Sequence, residues 1–84
     1  MKLKRNIALS ESGFVYDPST GESYSLNEQG IEILRLLQEE KSFPEISSTM
    51  VGQYEVNGVD FEKYYFDFLG MLRQFRLLED ERQD

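Results

Sequence analysis

Two stripes of bulky apolar side chains run along the stretch from Phe61 to Leu78 at the spacing of a helix. One stripe consists of Phe61, Tyr65, Leu69 and Leu72. The second, which we call the aromatic stripe, consists of Tyr64, Phe68, Met71 and Phe75. Aromatic rings bury a large area at low entropic cost, and a Met side chain adapts to irregular shapes, so these residues offer apolar recognition of a partner.

A helix that packs on one side needs only one such stripe. The aromatic stripe therefore belongs either to a thicker core or to the wall of a binding groove. Because part of it must close the core, we expect Phe68 to be buried. We expect at least two of Tyr64, Met71 and Phe75 to line a groove.

The sequence contains few of the residues on which catalysis usually depends. The 84 residues include no Cys and no His, which removes thiol nucleophiles, disulfides, imidazole bases and most zinc or haem sites. The acidic residues are scattered, and no nucleophile–base pair, glycine-rich phosphate loop or metal-ligand cluster appears. We therefore expect a protein that is not an enzyme and that uses no cofactor or metal.

The chain is acidic, with 16 Asp and Glu against 9 Lys and Arg and a net charge of −7. Three of the nine bases lie in the first five residues, so the body from Asn6 onward is more acidic still. Such a surface argues against nucleic acid and anionic lipid as partners. Within it, Lys63 and Arg73 flank the aromatic stripe, where they either steer an acidic ligand or are ordinary solvated charges.

The length of the chain predicts one domain over residues 1–84, with flexible ends at 1–5 and 79–84. No apolar run is long enough for a membrane helix, and none follows the basic start as a signal peptide would require. A chain without Cys is compatible with the cytoplasm, which is the location we expect.

The N-terminal third has the pattern of a three-stranded antiparallel sheet. Lys4–Leu9 is predicted as a first strand. A β-hairpin follows, with strands at 13–16 and 22–26 and strong turn chemistry in the Asp-Pro-Ser-Thr-Gly run between them. Tyr24 and Leu26 share one face of the last strand, which we expect to be half-buried at a sheet edge.

Three helices are predicted after the hairpin. Asn27 caps the first, and Ser42 opens the second with Glu45 three residues later as a capping box. Asp60 is the expected cap of the third helix. Gly52 is expected to fray the end of the second. In the first, Gly30 is unfavourable in a helix, so either another backbone passes close to it or the first turn simply tolerates it.

The order of these elements is that of a small winged-helix-like α+β domain: an N-terminal three-stranded antiparallel sheet followed by three α-helices. Three segments make the resemblance more specific: the run Tyr24–Gly30, the Leu34–Leu37 stripe, and Phe68–Leu72 with the closing pair Leu77–Leu78. Together they resemble the PqqD family over roughly residues 6–79. More aromatic residues in the last helix, and Arg76 where a Gly often precedes the leucine pair, depart from the family outline.

That resemblance implies a peptide chaperone, or recognition element, for ribosomally synthesised and post-translationally modified peptides of natural product biosynthesis. It implies that a precursor's leader segment adds as a strand to the free edge of the hairpin, with the last helix as the opposite wall. The peptide-binding residues would then be Glu22, Ser23, Tyr24, Ser25, Leu26, Lys63, Tyr64, Asp67, Phe68, Met71, Arg73 and Phe75.

The implied partners are the precursor's leader peptide and a peptide-modifying enzyme such as a radical SAM enzyme, a protease or a cyclase. Exposed strand edges also make a homodimer a possible assembly. Two alternatives have different mechanisms. A winged-helix DNA-binding regulator fits the architecture, but the segment Glu45–Tyr54 contains no Lys or Arg. A protein-protein docking domain without a peptide ligand would use the same apolar stripe.

Overall fold

The computed structural model describes residues 3–79 and confirms the predicted α+β order of three strands and three helices. The elements are β1 Ala8–Leu9, β2 Phe14–Asp17, β3 Glu22–Ser25, α1 Glu28–Gln38, α2 Phe43–Tyr54 and α3 Gly58–Gln74. The flexible ends predicted from the sequence fall largely on residues 1–2 and 80–84, outside the described residues.

The sheet is antiparallel, with strand order β1-β2-β3, so β1 and β3 are its edges. The turn between β2 and β3 is fixed by Asp17, whose Oδ1 accepts from the backbone N–H of Ser19 at 3.0 Å and from its hydroxyl at 2.7 Å. Gly21 follows with φ +78°, a backbone conformation that favours glycine. The first strand is shorter than the predicted Lys4–Leu9, because the chain turns before Ala8.

The helix starts follow the predicted capping chemistry in two cases of three. The Asn27 side chain accepts from the N–H of Gly30 at 2.8 Å, and Ser42 forms a capping box with Glu45. The prediction for α3 was wrong by three residues: Asn57 is its cap, accepting at 2.8 Å from the N–H of Asp60, which lies in the first turn. An Asn three residues before an Asp competes well for this position because both side chains can cap.

The core lies between the inner face of the sheet and the three helices. All four members of the first stripe, Phe61, Tyr65, Leu69 and Leu72, are buried against α1 and α2 residues as predicted. The expected fraying at Gly52 does not occur. Helix α2 continues through Gly52 to Tyr54, and Glu55 ends it in a left-handed conformation.

The chain end returns to the core after α3. Arg76 takes a left-handed φ of +60°, and Leu77 then donates its N–H to the carbonyl of Leu72 at 2.9 Å. Leu78 is buried and forms an antiparallel bridge with Leu3, which is also buried. The sequence-based prediction of a flexible start did not include this pairing, which an apolar side chain at position 3 makes favourable.

Candidate functional site

The outer edge of β3 has no neighbouring strand in the sheet formed by residues 3–79. Leu26 donates its N–H to the carbonyl of Gly13 at 2.8 Å, so the backbone at this position points toward β2. In an antiparallel pair, the backbone N–H and C=O groups of successive residues point alternately toward and away from the partner strand. The N–H and C=O groups of Ser23 and Ser25 therefore point away from β2, toward the free edge.

Side chains of β3 alternate in the same way. Tyr24 is half-buried and pairs across the sheet with the fully buried Val15, whereas Ser23 and Ser25 are exposed on the outer face. Leu26, just beyond the strand, is half-buried like Tyr24. The predicted shared face of Tyr24 and Leu26 is confirmed, and this face is turned toward α3.

One member of the aromatic stripe lies in the core, and the other three remain partly exposed. Phe68 is buried at 7% exposure, which confirms its expected core position. Tyr64 is 37% exposed, and Met71 and Phe75 are half-buried. These three side chains have surface left over after the core is closed.

Three contacts align β3 with α3. The Tyr24 ring stacks on Phe75 with ring centroids 4.4 Å apart and planes inclined by 12°. Phe68 and Leu26 both lie against Gly30, and the Asn27 side chain lies within hydrogen-bonding reach of the Tyr64 hydroxyl. The two elements thus run in opposite directions. We call the surface between the free edge of β3 and Tyr64, Met71 and Phe75 the groove.

The two tyrosines at its ends are held in the neutral form. Burial raises the pKa of Tyr24, and the nearby carboxylate of Glu22 raises it further. Burial also raises the pKa of Tyr64, although the Asn27 side chain lowers it in part. Both phenols therefore stay protonated near neutral pH, where they can donate hydrogen bonds but cannot act as bases.

The charged residues predicted for the site do not all lie at the groove. Lys63 and Asp67 are exposed and follow the aromatic stripe along its solvent side. Arg73 is nine residues beyond Tyr64, about half a turn out of phase at 3.6 residues per turn, so it lies on the opposite flank of α3. That flank also carries Phe66, which is 54% exposed and stacks on Phe43.

Sequence reasoning missed the role of Gly30. A Cβ at this position would lie 3.2 Å from Oδ1 of Asn27, 3.2 Å from ring carbon Cε1 of Phe68 and 3.4 Å from the Cβ of Leu26. The close neighbours are thus mainly side chains, not the passing backbone that was one of the two sequence interpretations. The sequence has no local signal for this packing, because Phe68 lies far from Gly30 in the chain.

Within residues 3–79, no group of His, Cys, Asp and Glu side chains is arranged to hold a metal ion. In the same part of the chain, no helix has the length and apolar character that crossing a membrane requires. What this region does offer is a backbone edge beside an apolar wall.

Comparisons with known proteins bear on this edge. The family model for PqqD, coenzyme PQQ synthesis protein D, matches residues 13–78. A solved structure described as TbiB1 in complex with the TbiA(beta) leader peptide is 28% identical, covers 99% of this chain and 100% of its own, and superposes with a TM-score of 0.84. Among curated proteins, no sequence matches.

A second solved structure is described as lasso peptide synthetase B1 complexed with the leader peptide. It is 21% identical, covers 94% of this chain and 96% of its own, and has a TM-score of 0.79. At that identity the similarity establishes the shared fold.

Proposed function

The chain belongs to the PqqD family, and we propose that it binds the leader segment of a ribosomally synthesised precursor peptide as an added strand on β3. It is a binding protein and not an enzyme. Family membership over residues 13–78 and the likeness to TbiB1, which was solved with a leader peptide, support this function.

The observation that carries the proposal is the free edge of β3 beside an incompletely covered apolar wall. Ser23 and Ser25 offer outward-pointing backbone donors and acceptors, which would bind a strand of any sequence. Tyr64, Met71 and Phe75 would contact alternate side chains of that strand. Affinity would come from the backbone pairing, and specificity from the wall.

Presentation of the leader to a modifying enzyme is the second part of the proposal. A bound leader leaves the rest of the precursor free to reach such an enzyme, whether it is a radical SAM enzyme, a protease or a cyclase. The same role implies a cytoplasmic location, where precursor peptides leave the ribosome. The exposed Phe66 and the half-buried Phe43 on which it stacks lie away from the groove, so a partner that docks there would not compete with the leader.

Strand addition is tested by removing one outward donor without changing a side-chain contact. Because the N–H of Ser25 points to the free edge, Ser25→Pro removes that donor and leaves the pairing of β3 with β2 intact. We expect Ser25→Pro to weaken binding of the leader peptide encoded beside this gene at least tenfold in isothermal titration calorimetry. Ser25→Ala, the matched control, should bind within about twofold of the unchanged protein.

A proton–nitrogen NMR spectrum of each variant shows whether the fold is kept. Equal affinity for the Ser25→Pro and unchanged proteins, with both folded, would rule out strand addition at β3. No binding of the encoded leader by the unchanged protein would refute the proposed function itself.

A further inference from the structure

The antiparallel alignment of β3 and α3 gives the groove two chemically different ends. Tyr24 on β3 meets Phe75 at the C-terminal end of α3. At the other end, Asn27 meets Tyr64 in the N-terminal half of the same helix. Any charged residue next to these contacts therefore has a defined position along the groove.

Glu22 marks the first end. It lies two residues before Tyr24, so both side chains are on the same face of β3, and its carboxylate is close enough to influence the Tyr24 hydroxyl. The residue is exposed, which leaves its charge available to a ligand.

Lys63 marks the second end. It directly precedes Tyr64 in α3 and is exposed on the solvent side of the aromatic stripe. Asp67, one turn later on the same side, lies between the two ends. Along the groove the charges thus run from negative at Glu22, through negative at Asp67, to positive at Lys63.

We propose that Glu22 and Lys63 determine leader specificity and register, by selecting a strand with a Lys or Arg at the Glu22 end and an Asp or Glu at the Lys63 end. This inference rests on the proposed function. The five-residue step from Glu22 to Asn27 spans about 17 Å at about 3.4 Å per residue. The two leader charges are therefore about four to six residues apart, and the residue facing Asp67 is not acidic.

The physical reason is complementarity at an interface rim. Exposed charges contribute little to the stability of a folded chain, but a like-charge pair across an interface penalises the wrong ligand and the wrong register. In an acidic protein of net charge −7, an exposed base on the solvent side of the aromatic stripe would attract an acidic leader residue. Arg73 cannot serve here, because it lies on the opposite flank of α3.

The test is a charge swap measured by fluorescence anisotropy with a labelled synthetic peptide of the encoded leader. Glu22→Lys and Lys63→Glu are each expected to weaken binding about fivefold or more at low salt, and less at high salt. Glu62→Lys and Lys41→Glu make the same changes in net charge away from the groove, and we expect them to stay within about twofold.

Two further peptides carry one reversed charge each. A leader whose base is replaced by an acid should recover affinity for Glu22→Lys, and a leader whose acid is replaced by a base should recover affinity for Lys63→Glu. The inference is overturned if the groove variants behave like their matched controls, if the reversed peptides fail to recover binding, or if the encoded leader lacks the opposite charges at that spacing. Those outcomes leave the proposed function standing, since the unchanged protein still binds the leader. Loss of binding by the unchanged protein overturns both.

Discussion

At the scale of single residues, the groove depends on one position without a side chain. Gly30 leaves room in the first turn of α1 for the Phe68 ring and the Leu26 side chain, which both lie against it. Phe68 in turn stacks on Tyr64 with ring centroids 6.0 Å apart. The exposed wall of the groove is thus supported by a buried contact that only glycine permits without displacement of its neighbours.

Two glycine substitutions separate this packing role from helix propensity. Gly70→Ala, within α3 and with no atom within 4 Å of the added Cβ, should raise the free energy of unfolding by about 0.5–1 kcal/mol and leave leader affinity unchanged. Gly30→Ala also replaces a helical glycine, but its Cβ would lie only 3.2 Å from the Phe68 ring and from Oδ1 of Asn27, so these neighbours must shift. We expect no net gain in stability and weaker leader binding, measured by urea unfolding and calorimetry. Equal stabilisation by both would contradict this packing role.

At the scale of elements, local sequence signals predicted most of the secondary structure. The turn from Asp17 to Gly21 and the caps Asn27 and Ser42 were all found, because each depends on residues within a few positions of one another. The errors had different causes. Asn57 and Asp60 can both cap α3, and β1 contains only Ala8 and Leu9 because the sheet pairing ends there.

The β-hairpin turn should make stability depend on pH through Asp17. Hydrogen bonds from the Ser19 hydroxyl lower the pKa of Asp17 most, burial opposes them, and the Ser19 N–H and the Lys4 charge add to the lowering. A carboxyl whose pKa is lower in the folded state stabilises the fold above its unfolded value of about 3.9, and this contribution is lost as the pH falls through the folded value.

Thermal melts of the unchanged protein and Asp17→Asn between pH 7 and pH 3 test this dependence. The unchanged protein should have the higher Tm at pH 7, and the gap should narrow below about pH 4. Ser19→Ala removes the strongest of these hydrogen bonds. At neutral pH its Tm should therefore exceed that of Asp17→Asn by less than the Tm of the unchanged protein does. A gap that stays constant down to pH 3 would show that the charge of Asp17 contributes nothing to the fold.

At the scale of the whole molecule, the site forms where β3 and α3 meet. The sequence showed which stretches carry the edge and the apolar stripe, and the burial of Phe68 was predicted correctly. It could not show their alignment, because the contact of Tyr24 with Phe75 joins residues far apart in the chain. The position of Arg73 on the opposite flank of α3 needed no such contact, because the helical period alone separates it from Tyr64 by about half a turn.

The central claim is that the leader adds as a strand to β3, and amide hydrogen exchange followed by NMR tests it most directly. In the free protein the N–H of Tyr24 points to β2 and should exchange slowly, whereas those of Ser23 and Ser25 point outward and should exchange fast. With saturating leader peptide, we predict that Ser23 and Ser25 become protected. Bound leader with fast exchange at both residues would contradict the claim.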